Sequence, residues 1–136
     1  QAHAAERVLA LRRVRLDGRG LASMDGLDCC HRLTHLYLQR NAIARVEGLD
    51  FLTNLAFLAL NDNRITVVEN LAHLPALRYL GMADNRIEEV ETRALPLSLQ
   101  FVDFSGNPCA LDDSHRARLV GALPALQSLD HIPVDP

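Results

Sequence analysis

The chain has 136 residues; 25 are leucine and only six are aromatic, four Phe and two Tyr. At 49% hydrophobic and 23% charged the composition is that of a globular protein rather than a disordered one, and no apolar run is long enough to cross a bilayer. All 14 basic side chains are Arg against 17 acids, a net charge of −3, which rules out a lysine nucleophile or Schiff base and argues against a protein held mainly by nucleic-acid phosphates.

The length suits one structural domain. The chain opens on Gln1 rather than Met, so an upstream segment is expected and a targeting signal outside it stays open. Residues 1–10 read as an N-terminal flank or partial cap, with Ala4–Leu11 a candidate short helix. From residue 11 to residue 108 the chain repeats. Asn41, Asn63, Asn85 and Asn107 stand 22 residues apart. Leu33, Leu36 and Leu38 precede the first of them; Leu55, Leu58 and Leu60 the second; Leu77, Leu80 and Met82 the third; Leu99, Val102 and Phe104 the fourth. Ile43, Ile65 and Ile87 follow at one position, with Cys109 in the fourth unit, and Val46, Val68 and Val90 at another. One step upstream, Leu11, Val14 and Leu16 form a fifth, irregular unit with Arg19 in place of Asn.

In each unit the alternating piece is a short strand with one face inward, and stacked units pair these strands into a parallel sheet. The Asn turns inward where the chain leaves the strand, so its amide can satisfy backbone groups otherwise buried unpaired. Asn41, Asn63, Asn85 and Asn107 are therefore read as a structural ladder. The rest of each unit returns along the far side, closed by Leu49 with Leu52 and Leu71 with Leu74, with Cys30 as a small buried hydrophobe in the Leu52 position. Asp25, Glu47, Glu69 and Glu91 form an acidic column, expected at the starts of short helical turns. The fourth return departs: Arg93 and Pro96 replace leucines, and Leu95 and Leu97 are expected to carry its apolar contacts. Cys29, Cys30 and Cys109 are too few and too oddly placed for a disulfide framework, which points to a reducing compartment.

Residues 109–136 read as a C-terminal cap. His115–Leu123 has helical spacing through Ala117, Leu119, Val120 and Leu123, preceded by Asp112, Asp113 and Ser114 as N-cap and first-turn candidates. Leu123-Pro124-Ala125-Leu126 through Leu129 then echoes Leu74-Pro75-Ala76-Leu77 through Leu80 and supplies one more strand-like rung, which Asp130–Val134 ends. A solenoid needs such a unit to cover its last open core edge.

These residues carry a family resemblance. The 22-residue frame N-x-I-x-x-V-E-x-L, with His115-Arg116-Ala117-Arg118-Leu119-Val120 and Leu123-Pro124-x-Leu126-x-x-Leu129-Asp130, resembles the short leucine-rich repeat class with its C-terminal cap. Members of that class include a regulatory subunit of protein phosphatase 1, a spliceosomal U2 particle protein and axonemal dynein light chain 1. The Ser105-Gly106-Asn107 step and compact cap most resemble leucine-rich repeat proteins of motile cilia. The resemblance implies an α/β fold: a leucine-rich repeat solenoid with short parallel β-strands on the concave face, 3-10 or short helices and loops on the convex face, and a C-terminal helical cap. It implies a subunit of a ciliary or axonemal complex, with a dynein heavy chain, other axonemal proteins or tubulin as partners and the cytoplasm, cytoskeleton and axoneme as location. A phosphatase-regulatory or ribonucleoprotein adaptor is the alternative. The family's binding residues vary between members, so none is carried over.

Function must come from exposed positions, which the register identifies. The column before the second strand leucine reads Arg13, His35, Phe57, Tyr79, Phe101; two residues on it reads Arg15, Tyr37, Ala59, Gly81, Asp103; a third reads Asp17, Gln39, Asn61, Ala83, Ser105. The expected concave face is thus an aromatic stripe beside a shallow floor of Ala59, Gly81 and Ala83, with Arg12, Arg13 and Arg15 at one end and Asp103 at the other. Aromatics and Arg dominate binding hot spots, and small residues would let a partner backbone approach. The candidate partner-binding residues are therefore Arg13, Arg15, His35, Tyr37, Phe57, Tyr79, Phe101 and Asp103, and an amphipathic helix is the expected occupant. The competing account is that rings on flat strand positions merely pair across strands for stability.

No enzyme motif is present: no G-x-S-x-G, Walker loop, H-E-x-x-H or dinucleotide fingerprint. Cys29-Cys30-His31 with His35 resembles metal ligands in spacing only, since the register sends Cys30 inward, His31 to the rim and His35 to the concave face. No cofactor, metal or small-molecule substrate is expected. The Arg7, Arg12, Arg13, Arg15 and Arg19 group could suggest RNA stacking, but the surrounding acids and negative net charge favour an acidic protein surface as counterpart.

Overall fold

The computed structural model describes residues 11–27 and 30–135. The proposed N-terminal flank and Cys29 lie outside the described residues. Among the described residues seven strands form one sheet in chain order: β1 (Arg13–Arg15), β2 (His35–Tyr37), β3 (Phe57–Ala59), β4 (Tyr79–Gly81), β5 (Phe101–Asp103), β6 (Ser128–Leu129) and β7 (Ile132–Pro133). β1 to β6 pair in parallel, and β7 returns antiparallel to β6. The register is a displacement of one 22-residue unit at each of the first four steps: Val14, Leu36, Leu58, Leu80 and Val102 face one another in succession. That column, with the next inward one, builds the core. Leu36, Leu38, Leu58, Leu60, Leu80, Met82 and Phe104 are fully buried, and Leu49, Leu52, Leu71 and Leu74 close them from behind. Each fully buried leucine contributes about 1.5–3 kcal/mol of hydrophobic stabilisation before the entropy of ordering is set against it.

The strands are short because the chain turns away beside every Asn. The residue just before each Asn of the ladder is left-handed: Arg40, Asp62 and Asp84 have φ of 57°, 60° and 58°, and Gly106 has 77°. At Gly106 a Cβ would overlap the Asp84 carboxylate and displace it, which glycine avoids. The Asn side chains then hold the bend. Asn63 Nδ2 donates to the Leu38 and Leu60 carbonyls, both at 3.0 Å, and Ile43 N–H donates to its Oδ1 at 3.0 Å. Asn85 and Asn107 repeat the arrangement one and two units on. In the irregular first unit, Arg19 and Leu21 N–H both donate to Asn41 Oδ1 at 3.0 Å.

The returns differ from the sequence expectation in two ways. In the second and third units they are not helices but successive tight turns, Leu52 N–H to Leu49 C=O and Leu55 N–H to Leu52 C=O, both 3.0 Å. Asp25, Glu47 and Glu69 therefore cap no helix; Glu69 accepts from Arg45 at 2.9 Å instead. These turns begin at a left-handed residue, Gly26, Gly48 or Asn70. The fourth unit has the β-branched Thr92 at that position, which that conformation excludes, and there the return becomes a 3-10 helix, Thr92–Ala94, after Glu91. The second difference is also here. Leu95 is buried as expected, but Leu97 is 67% exposed and Pro96 is buried in its place.

The cap consists of a 3-10 turn (Pro108–Leu111), helix α1 (His115–Ala122) and the β6–β7 hairpin. α1 lies where the spacing places it, but its inner face is His115 and Leu119, while Ala117 is exposed. Asp112 Oδ1 accepts from both Ser114 N–H and Oγ at 2.9 Å, turning the chain into the helix, and these bonds lower the Asp112 pKa. Asp130 and His131 both have positive φ, 51° and 68°, and form the two-residue turn of the hairpin. Asp130 Oδ1 accepts from Phe104 N–H at 2.6 Å and its Oδ2 faces His115 Nε2 at 3.0 Å. His131 Nε2 meets Asp103 Oδ2 at 2.8 Å. The last edge of the core is thus shut by two histidine–aspartate contacts crossing between β5, α1 and the hairpin.

Candidate partner-binding face

The face of the sheet turned from the core carries the two candidate columns side by side. His35, Phe57, Tyr79 and Phe101 are direct neighbours through β2 to β5, and Tyr37, Ala59, Gly81 and Asp103 form the second row. Parallel strands about 4.8 Å apart force like positions into contact, and the rings stack. His35 lies 5.5 Å from Phe57 at 19°, and Phe57 lies 4.2 Å from Tyr79 at 5°. Tyr37 adds a tilted contact to Phe57 at 5.0 Å, and the Arg15 guanidinium sits 4.4 Å above the Tyr37 ring. Six of the eight candidates, Arg15, His35, Tyr37, Phe57, Tyr79 and Phe101, thus form one surface. Arg13 joins it at the His35 end through strand pairing.

Two parts of the expected picture change. Ala59 and Ala83 are 5% and 7% exposed and Gly81 is buried, so the floor is not open to a partner backbone. A Cβ on Gly81 would come within 3.2 Å of the Tyr79 hydroxyl and 2.6 Å of Asn61 Oδ1. Gly81 makes room for the protein's own Tyr79, whose hydroxyl hydrogen-bonds to Asn61, while Asn61 Oδ1 accepts from Ala83 N–H at 3.1 Å. Burial, with the Asp103 charge second, raises the Tyr79 pKa against that bond, so the hydroxyl is neutral at physiological pH. The second change is Asp103. It is 7% exposed, accepts from Ser105 N–H and Oγ, and meets His131. It is a closure residue of the cap, not a free charge at the end of the face.

The opposite end is cationic and open. Arg12, Arg13 and Arg15 are exposed. Asp17 is shared between Arg15 at 4.0 Å and Arg40 at 3.5 Å, and no carboxylate among the described residues pairs with Arg12 or Arg13. Burial, with the Arg13 charge second, lowers the His35 pKa below the ordinary histidine value, so His35 stays neutral at pH 7 and stacks as an uncharged ring. His31 is exposed at the rim and Cys30 is buried. Among the described residues no group of three His, Cys, Asp or Glu is placed to hold a metal ion, and no helix is long and apolar enough to cross a membrane. Cys109 is buried in the Pro108–Leu111 turn, and burial with the Asp130 charge pushes its thiol up to about 11, which suits packing rather than nucleophilic chemistry.

The missed features share a cause. His115, Asp130 and His131 read from sequence as polar residues at the end of a repeat, and their pairing depends on the turn that brings them together. The left-handed column of Gly26, Gly48 and Asn70 was the available signal for the fourth return, because Thr92 breaks it.

A parallel sheet with one strand per 22 residues, an inward Asn ladder and a capped end define the class: this chain is a leucine-rich repeat protein, and the leucine rich repeat family model matches residues 31–87. Over 124 residues it is 60% identical to leucine-rich repeat-containing protein 46 of Rattus norvegicus, a match covering 91% of this chain. The chain spans 38% of that relative's length. Among solved structures, the Drosophila melanogaster SNF/U2A′ complex contains a chain similar in fold, with a TM-score of 0.78 and 23% identity over 90% of this chain and 74% of that one. Internalin C2 of Listeria monocytogenes matches with a TM-score of 0.74 and 26% identity, covering 95% of this chain and 55% of the other.

Proposed function

We propose that this chain is a non-enzymatic protein-binding scaffold whose ring-bearing sheet face grips a segment of a larger assembly. The observation that carries this reading is the row His35, Phe57, Tyr79 and Phe101, with Tyr37 beside it, on a surface that nothing else in the described chain covers. Cross-strand pairing alone accounts for a stacked ring pair. It does not account for Phe101, which is 40% exposed and lies beyond the stacks, nor for Arg12 and Arg13 at the other end, exposed and without a carboxylate among the described residues. An exposed ring at the end of a row of half-buried ones, beside arginines, is the composition of a binding hot spot.

The assembly is a ciliary or axonemal complex: a dynein arm, radial spoke or dynein regulatory complex, with a dynein heavy chain, another axonemal protein or tubulin as partner. This part rests on the likeness of the Ser105-Gly106-Asn107 step and the cap to leucine-rich repeat proteins of motile cilia. The location that follows is the cytoplasm and axonemal cytoskeleton. A second reading, a ribonucleoprotein adaptor, draws on the fold likeness to the SNF/U2A′ complex; a phosphatase-regulatory role draws on the repeat class alone.

The test is expression of the tagged protein in multiciliated cells, beside a Phe57→Ala, Tyr79→Ala variant. Axonemal retention after detergent extraction is expected for the first and not for the second. A nuclear signal that colocalises with splicing components would replace the ciliary reading with the adaptor one.

A further inference from the structure

The sheet face is not symmetric from end to end, and that asymmetry bears on what can sit on it. At the β1 end stand Arg12, Arg13 and Arg15, all exposed, with Arg40 beside them; Asp17 pairs with Arg15 and Arg40 and leaves Arg12 and Arg13 without a carboxylate among the described residues. From β3 to β5 the strand columns carry no cation; they carry Phe57, Tyr79 and Phe101, and the one acid, Asp103, is engaged by Ser105 and His131. The rims are mixed in charge: Asp62 and Asp84 on the loop side are followed by Arg64 and Arg86, and Arg78 stands on the strand-side rim before β4, all exposed.

A nucleic-acid strand carries its charge evenly and needs cations along its whole track. On the strand columns of this face the positive charge stands at the β1 end. An extended peptide laid on the face would leave its own backbone donors and acceptors against aromatic rings, where few partners exist. A helix satisfies its backbone internally and presents a side-chain stripe. Four strand-to-strand steps of about 4.8 Å span about 19 Å, the length of about 13 helical residues.

We propose that the sheet face takes an amphipathic helix in one direction only, with a cluster of carboxylates at one end seated on Arg13 and Arg15 and its apolar stripe on Phe57, Tyr79 and Phe101. This rests on the reading of that face as the partner site and adds the partner's chemistry and polarity. Arg15 is held over Tyr37 with its side chain 66% exposed, so it is placed for a carboxylate without prior rearrangement. In the reversed arrangement the partner's acids would lie over Tyr79 and Phe101, where the strand columns offer no cation.

A displayed library of 16-residue helical peptides with one randomised stripe, selected against the purified chain, tests this. The selected stripes should carry Asp or Glu clustered at one end and Leu, Phe or Met along the rest. Affinity of a selected peptide should fall at least about tenfold with Arg13→Glu and Arg15→Glu together, and replacing its acids by Lys should restore binding to that variant. Both arginines are exposed, so the variant's circular dichroism should match the wild type. Selected stripes without an end cluster, or binding indifferent to the charge reversal, would overturn the polarity and leave the face as the partner site. Selection of no peptide, or binding unchanged in Phe57→Ala with Tyr79→Ala, would overturn both readings. Binding of single-stranded RNA lost on the charge reversal, with no peptide selected, would assign the arginines to phosphate instead.

Discussion

Asn63 shows at the scale of one residue how the repeat holds together. A single amide joins three chain segments, taking Ile43 N–H and giving to Leu38 and Leu60 carbonyls, all inside the core. Asn63→Ala leaves the Ile43 N–H buried without a partner, at about 1–3 kcal/mol, while the Leu38 and Leu60 carbonyls keep Asn41 and Asn85 as donors. Urea unfolding should therefore show a loss of about 1–3 kcal/mol, and an unchanged midpoint would remove the Asn ladder from the account. Gly81 makes the same point for the surface. Gly81→Ala places a Cβ against Asn61 Oδ1 and the Tyr79 ring, so Tyr79 is expected to leave its stack on Phe57. The Tyr79 ring resonances should shift, with a stability loss of about 1–3 kcal/mol; unchanged resonances would mean the ring is not seated as described. The ladder was legible in the sequence because it recurs at a fixed period. The Gly81 contact was not, since a small residue beside a ring reads equally as space for a partner or space for the ring itself.

At the scale of the element, the cap separates what periodicity reveals from what it conceals. Helix α1 and the extra rung β6 follow from apolar spacing and from the repeat of Leu-Pro-Ala-Leu. The hairpin did not show, because its turn is Asp130-His131 rather than the Gly or Asn pair that usually marks two left-handed residues. Nor did the inner placement of His115, since a histidine among apolar positions marks no face until Asp130 stands opposite it. Asp130 is the joint of this element, bonded to β5 through Phe104 N–H and to α1 through His115. Asp130→Ala should accelerate hydrogen exchange at the Phe104 amide and along α1 while leaving the Leu38 amide, which bonds to Ala59, protected. Unchanged Phe104 protection would show that the hairpin closes the sheet without that carboxylate. The fourth return belongs here too: Arg93 and Pro96 announced an irregularity, but its form, with Pro96 buried and Leu97 exposed, was set by Thr92 refusing the left-handed start.

At the scale of the molecule, leucine excess and aromatic scarcity have one explanation. Repeated aliphatic slots fill the interior, Phe104 is the ring that occupies one of them, and Phe51 lies exposed on the return side. Tyr37, Phe57, Tyr79 and Phe101 gather on the opposite surface, against a cationic end. That distribution is the basis for assigning partner binding to the sheet face. Site-directed photocrosslinking tests it most directly. A photoreactive phenylalanine analogue is placed at Phe101 on the sheet face or at Phe51 on the return side, 40% and 67% exposed respectively, and each protein is irradiated in axonemal extract. A discrete protein adduct is expected from position 101 that disappears in the Phe57→Ala, Tyr79→Ala background, and none from position 51. An adduct from position 51 with none from position 101 would contradict it.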